Sequence, residues 1–259
     1  MAIRRYGQHF LKDQSIVRKI VEGSGVTKDD AVLEIGPGRG ILTRALSDAA
    51  GKVLTVEIDR RLEALLVEEG LPANVELVRA SALDLEPETL AEKLGPDWKL
   101  VANLPYEITS KTLERFLPMR AETGKGPTSI TLMLQKEVGE RIVARPGDMN
   151  RLAAFCGYYA SARVLFDVPR GAFSPPPKVR SCVVRLDIRP AAQLTGPEEA
   201  RFFRLLAVGF SEKRRQLKNT LSSVLGSDAA ERLRDAGIAP EARPEETSLE
   251  QWITLAQRM

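Results

Sequence analysis

Residues 31–50 read AVLEIGPGRGILTRALSDAA, and this stretch decides the fold. Its first five residues are apolar except for Glu34, the pattern of a strand buried on both faces. Its last ten carry apolar residues at helical spacing. Between them, Gly36, Gly38 and Gly40 sit where a strand turns into a helix. Glycine there tolerates positive φ and lets the backbone come close to a ligand. The helix N-terminus adds free N–H donors. A dinucleotide fingerprint needs GxGxxG, but position 41 is Ile, so that match fails. The spacing is GxGxG, preceded by Glu34. VLTVE (53–57) reads as the next strand and ends on Glu57, where an acid takes the hydroxyls of a ribose. A glycine loop alone is equally a plain tight turn. With Glu57 it points to a cofactor that carries a ribose.

Outward from this unit, DRRLEALLVEEG reads as a helix, and VELVRA, KLVAN and SITLMLQ as further short strands. Strands alternating with helices predict an α/β fold, a parallel sheet with helices on both faces. Upstream, Asp13 or Ser15 caps a helix in which Ile16, Val17, Ile20 and Val21 share a face, and Gly23 and Gly25 end it. RVLFDV and SCVVRLDI, joined by the proline-rich GAFSPPPKV, predict an antiparallel hairpin at one sheet edge. After Arg189-Pro190 the pattern changes. PAAQLTGPEEA reads as a linker. RFFRLLAVGF, KRRQLKNTLSSVLG, AAERLRDAG and SLEQWITLAQRM read as helices, the last with Thr247 and Glu250 at capping-box spacing. The expected division is a catalytic α/β domain over 1–190 and a small all-helical domain over 191–259.

Composition sets bounds on function. Apolar residues make up 43% of the 259 residues and charged residues 28%, a soluble globular balance. No apolar run reaches the roughly 18 residues of a membrane span. MAIRRYGQHFLKDQ has no apolar stretch after its arginines, which argues against a secretory signal. Cys156 and Cys182 form neither metal-ligand spacing nor a disulfide framework, and they read as core residues of a cytoplasmic protein. No metal is expected. Net charge is +3 and pI about 8.9, too mild to establish nucleic-acid binding. The distribution says more. Arg4, Arg5, Lys12, Arg18 and Lys19 crowd the start; Lys213, Arg214, Arg215 and Lys218 form a second cluster; residues 57–97 are acid-rich. Such asymmetry suits a protein that turns one face to phosphates, although each cluster alone is equally a solvated helix face.

The second decisive segment is NLPY, Asn103, Leu104, Pro105 and Tyr106. It follows the strand KLVA, at the carboxyl edge where open α/β sheets bind ligands. An adenine amine is a poor nucleophile because its lone pair is delocalised into the ring. The Asn103 side-chain oxygen and the Leu104 carbonyl are two acceptors suited to its hydrogens. They would help the nitrogen pyramidalise. Pro105 fixes φ and stiffens the loop. Tyr106 stacks on the base, an interaction worth about 1–3 kcal/mol. No strong general base is needed, because the methylated amine loses its proton readily. Catalysis is then positioning and in-line transfer. Phe173 opens FSPPPKV, a rigid extended loop. Its ring is expected to face Tyr106 across a flipped base, with core packing as the alternative. His9, in GQHFL, is expected to form part of a lid over the cofactor. The glycine loop and NLPY together point to methyl transfer from S-adenosylmethionine to adenine.

On GQHFL, EIGPGRGILT, VEID, NLPYEITS, MLQKEV, FSPPPKVRSCVVRL and KRRQLKNTL, in that order, the chain resembles the ribosomal RNA adenine dimethylases, in particular the bacterial branch acting on 16S rRNA. The resemblance covers nearly the whole length. It implies a class I methyltransferase fold with a seven-stranded sheet and a helical C-terminal domain. It implies S-adenosylmethionine as cofactor and dimethylation of two adjacent adenosines in the 3′-terminal hairpin of 16S rRNA, within an assembling 30S subunit. His9, Leu11, Gly36, Glu57 and Asn103 would line the cofactor site, with Gly38 in the same loop. Asn103, Leu104, Tyr106 and Phe173 would hold the target adenine. Arg4, Arg5, Lys213, Arg214, Arg215 and Lys218 are the expected RNA contacts.

Two departures stand out. Where the family has an acidic GDAL-like segment after the third strand, this chain reads RASALDL, so Ser81 takes the cofactor-facing position and Asp84 follows three residues later. The loop after RPG is also short, running directly into DMNRLAAF. A monomer is expected for an enzyme that docks on a ribosomal particle. Two other readings compete. The 23S rRNA dimethylases share NxPY and the glycine loop, and an assembly factor would use the same scaffold without catalysis.

Overall fold

The computed structural model describes residues 9–212 and 214–259. Arg4, Arg5 and Lys213 therefore lie outside the described residues. The chain divides into two compact units, one built on residues up to 139 together with 160–190, the other on 140–159 together with 191–259.

Nine strands occur among the described residues of the first unit: β1 (Phe10–Leu11), β2 (Ala31–Ile35), β3 (Lys52–Glu57), β4 (Val75–Arg79), β5 (Asp97–Asn103), β6 (Gly126–Gln135), β7 (Ala160–Val168), β8 (Phe173–Ser174) and β9 (Ser181–Ile188). Seven form one sheet in the order β4-β3-β2-β5-β6-β9-β7. Pairings from β4 through β6 are parallel, and β9 is antiparallel to both β6 and β7. Consecutive residues such as Val32 and Leu33, Val53 and Leu54, or Leu100 and Val101 are all fully buried. Both faces of the sheet are thus covered, which explains the continuous apolar runs. The chain steps from β2 to β3 and β4 in one direction, then to β5 and β6 in the other. The strand order reverses between β2 and β5, and their carboxyl ends open a crevice at that switch point. The predicted late hairpin pairs as expected, but β9 inserts between β6 and β7, leaving β7 at the edge.

Helix Gln14–Ser24 starts at Asp13, whose side chain accepts from the amides of Ser15 at 2.9 Å and Ile16 at 3.4 Å. It ends at Gly25, with φ +62°. Ile16, Val17 and Ile20 pack into a cluster with Val32, Val53, Val101, Met133 and Val183. Gly23 lies inside the helix rather than ending it; a Cβ there would come within 2.7 Å of Leu165.

The second unit groups residues 140–159 with residues 191–259. The cause is aromatic. Tyr158 and Tyr159 of helix Arg151–Tyr159 stack on Phe202 and Phe203 of helix Gly196–Gly209, with centroid distances of 4.8 and 5.9 Å. The short loop before them is a tight turn in which the amides of Gly147 and Met149 both donate to the Glu245 carbonyl. RRQLKNTLSSVLG (214–226) is not one helix. It holds two short pieces, Leu217–Thr220 and Ser222–Leu225, and the first begins at Leu217, where the Leu217 and Lys218 amides donate to the carbonyls of Ala242 and Pro240. The final helix, Leu249–Gln257, is capped by Ser248 with Gln251, one residue beyond the predicted Thr247 and Glu250. Thr247 is buried, accepting from the Trp252 indole and donating to the Pro244 carbonyl, both at 2.6 Å.

Candidate cofactor and target-base site

The glycine loop leaves β2 with φ of +70° at Gly36, +59° at Gly38 and +74° at Gly40, a backbone that side chains with a Cβ rarely adopt. The three differ in what they face. A Cβ on Gly36 would meet nothing within 4 Å, whereas one on Gly38 would touch the Phe10 ring at 3.3 Å and one on Gly40 would strike Leu66 at 2.8 Å. Gly36 alone fronts open space. Its amide donates to the Val56 carbonyl at 2.9 Å, which ties the loop to β3.

Two carboxylates stand at this edge. Glu57 ends β3, is 5% exposed, and accepts from the Asp59 amide at 2.8 Å. Burial raises its pKa. Glu34, 1% exposed, accepts from the Thr43 hydroxyl at 2.7 Å, and burial pushes its pKa up to about 7. Ile58, next to Glu57, is 72% exposed, an apolar surface beside a carboxylate.

Phe10, Leu11, Glu34, Gly36, Pro37, Arg39, Ile41, Leu42 and Asn103 line one cleft. Sequence reading missed Phe10 and Arg39. The Arg39 guanidinium lies 5.1 Å from the Phe10 ring centroid, a cation–π contact across the cleft mouth. The N-terminal segment is tied down by a small antiparallel pairing, Phe10 with Ser174 and Leu11 with Phe173. The Lys12 amide donates to the Ala172 carbonyl at 2.9 Å, and His9 Nδ1 donates to the Pro175 carbonyl at 2.8 Å. Phe173 is 2% exposed and belongs to the same buried cluster as Leu11, Val17 and Val183.

Asn103 is the last residue of β5, half-buried, with no side-chain hydrogen bond among the described residues. Leu104 is buried, Pro105 has φ −55°, and Tyr106 opens a 3-10 turn, Tyr106–Ile108. The Tyr106 hydroxyl lies 3.0 Å from the Ser181 hydroxyl at the start of β9. Ser81 follows β4, and its hydroxyl accepts from the Leu83 amide at 3.3 Å, closing a local turn; Asp84 is exposed. Of the described basic cluster, Arg215 pairs with Glu212 at 2.9 Å and Lys218 with Glu241 at 3.1 Å, while Arg214 is exposed and unpaired among the described residues. Among the described residues no group of three or more His, Cys, Asp or Glu is arranged to hold a metal, and no helix is long and apolar enough to cross a membrane.

Open space above Gly36, a buried carboxylate at the end of β3, and apolar walls from Leu11, Ile41 and Leu42 fit a nucleoside-bearing cofactor. A family model described as ribosomal RNA adenine dimethylase matches residues 2–259. The chain belongs to this family. Within it, the chain is 40% identical over 263 residues to the Ribosomal RNA small subunit methyltransferase A of Caulobacter vibrioides, covering 99% of this chain and 97% of that one. It is 40% identical over 261 residues to the protein of the same name from Trichormus variabilis, covering 98% and 96%. Two solved structures share the architecture. The 23S rRNA methyltransferase ErmE has a TM-score of 0.78 at 29% identity, covering 96% of this chain and 98% of ErmE. A dimethyladenosine transferase from Plasmodium falciparum has a TM-score of 0.77 at 26% identity, covering 95% and 96%. The dimethylase family is built on a Rossmann-like methyltransferase sheet, and the β4-β3-β2-β5-β6-β9-β7 order is this chain's version of it.

Proposed function

We propose that this chain is an S-adenosylmethionine-dependent adenine dimethyltransferase. It acts on two adjacent adenosines in the 3′-terminal hairpin of 16S rRNA, as a monomer, in the cytoplasm, during maturation of the 30S subunit. The observation that carries the reading is that Asn103, with an unengaged amide, lines the same cleft as Gly36 and Glu34 across the switch point between β2 and β5. The names of the small-subunit methyltransferases at 40% identity support 16S rRNA over 23S rRNA.

When bound, S-adenosylmethionine supplies an electrophilic methyl group on a sulfonium. Glu57 accepts from the ribose hydroxyls, and the exposed Ile58 beside it offers a flat apolar surface to the purine. Gly36 lets the backbone approach the cofactor, and Leu11 with His9 closes over it. The Asn103 Oδ1 and the Leu104 carbonyl accept the two hydrogens of the target amine and turn its lone pair toward the methyl group. Tyr106, oriented through Ser181, stacks on the base. Phe173 buttresses the lid from beneath. Ser81 holds the turn after β4 at the cofactor's adenine end.

The likeness to ErmE keeps a 23S substrate as the second reading. Labelled S-adenosylmethionine offered with unmethylated 30S subunits, protein-free 16S rRNA, 23S rRNA and DNA separates them, once the product nucleoside is identified. Dimethyladenosine in the 30S sample alone is the expected result. Label in 23S rRNA would favour the second reading, and binding to 30S without any transfer would favour a non-catalytic assembly factor.

A further inference from the structure

The carboxyl edge of the sheet carries a second cleft, on the side away from the glycine loop. Asp167, Val168, Pro169, Arg170 and Arg180 line it. Its two walls are held by the fold, because Val168 at the end of β7 is the register partner of Ser181 at the start of β9. Arg170 follows the first wall by two residues and Arg180 immediately precedes the second. Both arginines are exposed, and neither has a side-chain hydrogen bond or ion pair among the described residues. The one carboxylate in the cleft, Asp167, is already paired with Lys136. Two guanidinium groups are therefore left without a counter-charge on a rigid, proline-flanked frame.

Position gives this charge a meaning. Along the edge the order runs from the glycine loop after β2, through Asn103 at the end of β5, past β6, to Arg180 at β9 and Arg170 after β7. At about 4.8 Å per strand, the backbones that carry the arginines lie about 10 and 15 Å from that of Asn103. The link to the target-base loop is direct, since Ser181, adjacent to Arg180, sits 3.0 Å from the Tyr106 hydroxyl. An anion laid here neighbours whatever Tyr106 stacks on. Guanidinium groups present forked donors that match phosphate oxygens.

We propose that Arg170 and Arg180 form a phosphate clamp that grips the RNA backbone beside the target adenosine. The proposal rests on the reading of Asn103 and Tyr106 as the base site. It assigns the backbone next to the reacting base to the sheet edge, separately from any contact made by the C-terminal unit. The clamp holds the strand before and during transfer, so its loss falls mainly on KM for RNA and leaves cofactor affinity alone.

The test is the Arg170→Gln/Arg180→Gln double variant beside the parent, with the corresponding double Lys variant as a partial rescue. Both arginines are exposed, so the variants are expected to fold, and calorimetric titration with S-adenosylmethionine verifies that the cofactor site is intact. Binding to 30S subunits and to protein-free 16S rRNA is measured across a salt series, with KM and kcat on 30S. The double Gln variant is expected to raise KM roughly tenfold, with a smaller change in kcat. It is expected to lower the magnitude of the log K against log salt slope by about 1.4 on both RNAs, about 0.7 for each single-strand phosphate contact. An unchanged slope and KM would overturn the clamp. So would an effect confined to 30S, which would identify a ribosomal protein as the partner. Failure of the parent to form dimethyladenosine would instead count against the base site itself.

Discussion

At Asn103 the chemistry reduces to one amide at the end of a buried strand, sharing a cleft with the Glu34 carboxylate, whose charged form burial disfavours. On the proposed reading, Asn103→Ala removes one of two acceptors for the target amine. Turnover is expected to fall by about a hundredfold or more, the scale for deleting a polar group that acts in the transition state, while 30S binding stays nearly intact; parallel loss of both would sink the role. On the same reading Glu57→Ala removes an acceptor from the ribose end, and titration calorimetry is expected to show cofactor affinity weakened roughly ten- to a hundredfold. Glu34 makes a pH prediction. Its pKa rises from 4.5 to about 7 on folding. The stability tied to its protonated form is fully present below about pH 4.5 and is lost as pH rises through 7. Glu34→Gln keeps an acceptor for Thr43 without the charge. Its stability relative to the parent should therefore climb between pH 4.5 and 7, by at most roughly 3 kcal/mol; a pH-independent difference in urea melts would refute this.

Among the elements, the shortest ones carry the most consequence. A two-residue strand has no periodicity to read, so the pairing of β1 with β8 was invisible in GQHFL and FSPPPKV, although both segments were singled out for other reasons. Once formed, that pairing ties Phe10 and Leu11, which line the cleft of the glycine loop, to Phe173 and Ser174, with Leu11 and Phe173 in one buried cluster. The cap of the last helix shows the same limit. Thr247 and Ser248 are adjacent hydroxyls with acceptor-bearing partners three residues on, Glu250 and Gln251. Local spacing fits both; the Trp252 indole decides between them by claiming Thr247. Ser248→Ala should cost about 1 kcal/mol as a lost cap. Thr247→Val should cost more, about 1–3 kcal/mol, because it leaves a buried indole N–H without an acceptor. Urea denaturation of the two variants orders them, and equal losses would mean that the indole finds another partner.

At the scale of the whole molecule, the described part of the second basic cluster carries less free charge than its sequence implies. Glu212 and Glu241 lie apart from KRRQLK in the chain or on its flank, yet they pair with Arg215 and Lys218. Arg214→Gln is thus expected to reduce the salt slope of 30S binding by about 0.7–0.9, with Lys218→Gln adding little. Equal effects from both would mean that the ion pairs open on binding.

What the sequence by itself determined was the parallel sheet and its cofactor loop. AVLEI, VLTVE and KLVAN are buried on both faces, and burial of that kind writes itself into composition residue by residue. NLPY was legible for the same reason, since a strand end fixes where the next residues stand. Tertiary structure alone decided the rest. The allegiance of residues 140–159 depends on aromatic partners more than forty residues away, at Phe202 and Phe203. Phe173 pairs with Leu11, more than 160 residues away in the chain, in a two-stranded sheet of its own. The place of the Arg170 and Arg180 cleft, beyond β6 from Asn103, depends on β9 inserting between β6 and β7. Each is a contact between distant segments whose local patterns are individually ordinary, and only packing selects among the partners that such patterns allow.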